Sequence, residues 1–176
     1  MKCARRFAIF ATLSIGAVCS PSLTASHSTW RSDASLKHLF LTHRVEYEKL
    51  VAMVQEDVHV VRVAPDFTWL DDDSAWPRKN VGISPERWNQ YRELLRQVDA
   101  REGFMRHTNP LNISFPIVSA GLVPTGWTKG IVYSPEPLSP LVDSLDKRVP
   151  DRLWKGSTVL VYKSIEDGWY IYYKQW

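Results

Sequence analysis

Residues 155–176 read KGSTVLVYKSIEDGWYIYYKQW, two runs of β-branched and aromatic residues on either side of Asp167-Gly168. An Asp-Gly pair accepts the positive φ angles of a two-residue hairpin turn at little cost, so the stretch predicts a C-terminal β-hairpin. With those two residues as the turn, Glu166 pairs with Trp169, Ile165 with Tyr170, Lys163 with Tyr172 and Val161 with Lys174. One face then carries Val159, Val161, Lys163, Ile165, Tyr170, Tyr172, Lys174 and Trp176, because side chains alternate along a strand. Trp169, Ile171 and Tyr173 fall on the other, with Leu160 and Tyr162. Both faces are partly aromatic, which predicts helices over one side and Pro-rich loops over the other. Tyr170, Tyr172 and Trp176 are the candidates for a partner surface on this hairpin, with internal packing as the plainer use of the same rings.

Upstream of the hairpin the pattern remains β. Residues 127–134 (WTKGIVYS) read as a strand in which Gly130 marks a bulge. Residues 112–120 alternate Ile113, Phe115 and Ile117, with Pro116 removing a ladder donor and so predicting an edge or a bend. Residues 104–107 and 58–63 are shorter strands. Residues 134–140 hold three prolines and cannot be regular helix, while 141–147 allow one or two helical turns. Residues 121–126 form a turn around Pro124.

Two stretches have helical spacing. Leu36, Phe40, His43, Tyr47, Leu50 and Val54 recur at three and four residues, which predicts a helix over 35–55 capped by Asp33 or Ser35. A second helix over 85–101 is announced by Ser84 as N-cap, Pro85 at the first position and Glu86 in the first turn, with Trp88, Tyr91, Leu94, Leu95 and Val98 on one face and Gly103 as the stop. Helices segregated from a run of strands predict an α+β fold: an antiparallel sheet of about five to six strands with two long helices packed on one face.

The first 25 residues have the order of a secretory signal. Lys2, Arg5 and Arg6 precede the uncharged apolar run 7–18, and small residues with Pro21 follow. A polar tether over 26–35 then leads into a single domain over 36–176. The chain carries 22 basic and 19 acidic residues; the leader holds three of the basic ones and no acidic one, so its removal leaves the two signs balanced. No basic footprint for nucleic acid is expected. Both cysteines, Cys3 and Cys19, lie in the leader. Cys19 follows the apolar run where a lipoprotein would keep an acylated cysteine, although Val18 is a poor residue for the position before it. Cys19 is therefore a candidate lipidation site, and the sole route to a membrane that this reading provides.

The mature part has little that points to catalysis. Without cysteine there is no thiol chemistry or thiolate metal site, and G-x-S-x-G is absent. Ser144 and Lys147 fit S-x-x-K without companion motifs. His38 and His43 are five residues apart and so face apart on a helix; His43 reads as a core histidine. His59, His107 and Asp66 are the polar residues that a pocket formed only in the fold would gather. Asp71, Asp72 and Asp73 lack the glycine and oxygen spacing of a calcium loop. No cofactor or metal is expected. The expectation is an exported protein of the kind common in bacteria, periplasmic or extracellular, acting as a non-catalytic binding module for a protein or cell-envelope component. An envelope enzyme, or an inhibitor or immunity-type protein, is the alternative.

Overall fold

A computed structural model of the chain describes residues 30–71, 82–108, 111–121, 126–147 and 158–176. The expected leader with Cys19, most of the tether, Asp72 and Asp73, and the turn at Pro124 lie outside these residues. The described elements run α1 (Asp33–Thr42), α2 (Arg44–Glu56), β1 (Val60–Val63), β2 (Thr68–Leu70), α3 (Pro85–Gln97), β3 (Phe104–Thr108), β4 (Leu111–Ala120), β5 (Trp127–Tyr133), β6 (Val159–Glu166) and β7 (Trp169–Gln175). All seven strands form one sheet in the order β2-β1-β3-β4-β5-β7-β6, with every ladder antiparallel. The class is α+β, with seven strands and three helices among the described residues in place of five to six and two.

Each difference in count has a local cause. Strand β2 is the added strand, between β1 and α3; three residues are too few for alternation to be seen in sequence, and the Ala64 N–H donating to Phe67 O at 2.9 Å closes the turn before it. The first helix divides at His43, whose backbone (φ −116°, ψ 28°) leaves the helical region, so 35–55 is two helices and not one. Ser32, rather than Asp33 or Ser35, is the N-cap: its side chain accepts from the Ser35 N–H. Helix α3 ends earlier than expected. Asp99 (φ 56°) takes the left-handed conformation that stops the helix, and Gly103, also left-handed (φ 87°), lies beyond that stop, just before β3. The Ala100 N–H donates to Leu95 O and the Asp99 N–H to Arg96 O, the paired bonds of a Schellman stop. Residues 141–147 form no helix; Leu141 instead makes an isolated parallel bridge to Tyr162.

The hairpin register corrects a larger expectation. Glu166 does pair with Trp169 and Gly168 has φ 73°. A bulge between Ser164 and Glu166 then slips the ladder by one, so Ser164 faces Tyr170, Lys163 faces Ile171 and Tyr162 faces Tyr172. A one-residue slip exchanges the faces of one strand relative to the other. Val159, Val161 and Lys163 therefore share their face with Trp169, Ile171 and Tyr173, not with Tyr170 and Tyr172. A second bulge lies between Pro116 and Val118 on β4, opposite Gly130. Pro116 thus occupies an interior strand at a bulge rather than a sheet edge, and the irregularity expected at Gly130 belongs to its partner strand.

The helices cover one face. Phe40, Tyr47, Leu50, Val54, Tyr91 and Leu95 pack with Phe104, Phe115, Ile131 and Trp169 in the main core, and Leu36 packs with Val159, Val161, Ile171 and Leu145 in a second cluster. Arg87 ties α3 to α2, donating to Asp57 at 2.8 Å and to Glu56 at 2.7 Å, while the Tyr91 hydroxyl donates to Asp57 at 2.7 Å. On the opposite face Leu138 covers Val132, Tyr162, Tyr170 and Tyr172. From there the chain passes around the β6 edge. Tyr162 donates to Pro140 O at 3.0 Å and accepts from the Val142 N–H at 2.8 Å. That strap satisfies part of an otherwise open strand, and the other edge, β2, is too short to template pairing.

Candidate binding surface

A buried lysine organises one end of the helix-bearing face. Lys129 on β5 is fully buried, and its ammonium lies 2.8 Å from Asp33 Oδ1 and 2.8 Å from Asp146 Oδ1 while donating to Arg31 O at 2.9 Å. Three elements meet on it: the first turn of α1, the strap before β6, and the sheet. Asp33 Oδ2 accepts from the Leu145 N–H and from Lys163 of β6, both at 2.9 Å. The Asp33 N–H in turn donates to both Asp146 oxygens at 2.9 and 3.0 Å. Oδ1 of Asp33 holds Lys129 as a charge contact whose alignment falls short of a hydrogen bond. Burial by itself raises the Asp33 pKa, but Lys129, the Leu145 amide and Lys163 outweigh it and hold the carboxyl below its usual range. Lys129 thus spends two hydrogen bonds on Asp146 and Arg31 and a charge contact on Asp33, all within the protein, which makes the cluster a lock.

Above this lock sits a group of aromatic rings. Trp30 packs on Trp127 with ring centroids 5.0 Å apart and on Tyr173 at 6.0 Å; Trp127 and Tyr173 stack at 6.2 Å. Lys129 Nζ lies 4.6 Å from the Trp30 ring centre, a cation–π contact from beneath. Trp30 is nonetheless 45% exposed. Register puts more apolar surface at the same end of the sheet: Trp127 faces Gln175, Leu160 faces Lys174, and the Trp176 N–H donates to Gly126 O at 3.1 Å. Leu160 is exposed, Trp176 is half-buried, and Lys174 Nζ sits 5.8 Å from the Trp176 ring centre. One end of the sheet therefore shows aromatic or apolar side chains on both of its faces.

The residues singled out from sequence are dispersed. Tyr170 and Tyr172 are 9% and 5% exposed under Leu138, and burial pushes the Tyr172 hydroxyl pKa up against hydrogen bonds from Thr128 and Ser114. Trp176 alone of the three hairpin candidates lies at the aromatic end. His43 sits half-exposed at the helix break, 3.9 Å from Glu46, and not in the core. His38 and Asp66 are exposed. His59 lies 3.6 Å from Asp71. His107 lines a shallow groove of about 470 Å³ with Arg62, Trp69, Asp71 and Arg106, and burial lowers its pKa. Ser144 accepts from the Asp146 N–H, and Lys147 is exposed. Two further grooves flank α3, one against Pro65 and Arg101 and one against Lys49 and Met53 of α2. Sequence reading missed Trp30, placed in the tether, and Lys129, read as an ordinary strand residue.

Among the described residues no cluster of three or more His, Cys, Asp or Glu side chains is arranged to hold a metal ion, and no helix is long and apolar enough to cross a membrane. No protein-family model matches the chain, and no curated protein or solved structure is significantly similar to it.

Proposed function

We propose that the protein is an exported, non-catalytic binding module for a protein or cell-envelope component, and that it binds through the Trp30 end of the sheet. The reading rests on one observation: Trp30 is 45% exposed although it stands on two other rings and a buried cation. Folding gains from hiding a tryptophan, and a ring held rigid at the surface by packing from below is the type of anchor that interfaces use. Lys129 supports the platform from within while spending its hydrogen bonds on Asp146 and Arg31. Periplasmic or extracellular placement follows from the leader, with Cys19 as the candidate anchor. Mass measurement of the mature N-terminus tests the export reading: an intact Met1 would sink it. Crosslinking in envelope extracts tests the binding reading, with Trp30→Ala expected to lose the adducts that wild type forms. Equal adducts from both proteins would move the contact elsewhere.

A further inference from the structure

We infer that the Trp30 end of the sheet seats on a lipid surface, with its rings at the level of the headgroups. This inference rests on the binding role proposed for that end and names its partner class.

Three features favour a lipid surface over a shaped protein partner. Trp30, Trp127 and Tyr173 lie on the helix-bearing face, whereas Leu160, Lys174 and Trp176 lie on the opposite one, so the apolar surface wraps the end of the sheet. The three grooves described above all lie elsewhere. An end with rings on two sides, away from those grooves, suits a fluid layer into which it can dip. Its composition is also that of an interfacial belt. Tryptophan and tyrosine settle where an apolar ring and a polar atom are both accommodated, and Lys174 can extend its ammonium to headgroup phosphates from beside Trp176. Finally, the described chain begins at this end. Residues 20–29 separate Cys19 from Trp30, and ten residues reach at most about 35 Å. An acyl chain on Cys19 would hold the domain within that distance with the aromatic end nearest the bilayer.

The test uses full-chain protein carrying Cys19→Ala, purified from an exporting host, so that acylation plays no part. Flotation with vesicles of phosphatidylethanolamine and phosphatidylglycerol should recover the protein with the vesicles. Brominated lipids should quench part of its tryptophan emission. Trp30→Ala and Leu160→Ser should each weaken partitioning by about tenfold, the loss of one apolar side chain from the interface. Leu41→Ser, on the exposed side of α1, should leave it unchanged. Failure of the unacylated protein to float, or equal flotation of all four proteins, overturns the inference. A protein that ignores vesicles yet loses envelope crosslinks in Trp30→Ala keeps the binding surface and refutes only the lipid partner.

Discussion

The ammonium of Lys129 lies 2.8 Å from Asp33 Oδ1, joining the middle of the sheet to the first turn of the first helix. Both groups are buried, so neither regains water if the other is removed. Lys129→Met should therefore cost about 3–5 kcal/mol, as breaking a buried pair from one side does. The double change Lys129→Met with Asp33→Asn should recover part of that loss. Urea unfolding of the three proteins measures it; equal stability of wild type and Lys129→Met would remove the lock from the account.

The same pair sets a pH dependence. The Asp33 carboxyl is held below its ordinary value of 3.8, so the unfolded chain takes up its proton more readily than the folded one. Its contribution to stability is complete above pH 3.8 and is lost as pH falls through the lowered folded value. Asp33→Asn should flatten this acid limb of the stability curve while shifting neutral stability downward. An unaltered acid limb would show that Asp33 titrates normally.

Gly130 stands opposite the β4 bulge. A Cβ there would lie 2.2 Å from Phe115 O and 3.0 Å from the Tyr172 ring. Gly130→Ala must push backbone against backbone in the middle of the sheet and should cost about 1–3 kcal/mol. Thermal unfolding reads the loss as a fall in Tm.

Leu138 is the side chain by which the Pro-rich strap covers Tyr162, Tyr170 and Tyr172. Leu138→Ala should cost about 2–4 kcal/mol. It should also raise the accessibility of the three tyrosines to a nitrating reagent, checked by peptide mapping. Unchanged accessibility would mean that another segment shields this face.

Long periodic segments were legible in sequence because their signals are local. Ser84-Pro85 marks the start of α3, and Asp167-Gly168 marks the hairpin turn. The features that position the aromatic end were not local. The bulge at Ser164 and Glu166 has no glycine or proline to announce it, yet it decides which face Tyr170 and Tyr173 take. Lys129 reads as a surface residue until Asp33 and Asp146 arrive from distant parts of the chain. Trp30 sits among polar residues that read as tether, and only its contacts with Trp127 and Tyr173 make it part of the domain. Pro116 announced an edge or a bend, and only the ladder decides between them: its missing donor is accommodated inside the sheet by a bulge.

Amide hydrogen exchange on the full chain, with and without envelope membranes, decides whether the protein binds through the Trp30 end of the sheet. Added protection is expected in peptides covering residues 30–33, 126–129 and 173–176, with the α2–α3 groove unchanged. Protection confined to that groove or to the His107 groove, with the Trp30 end exchanging as in the free protein, would contradict it.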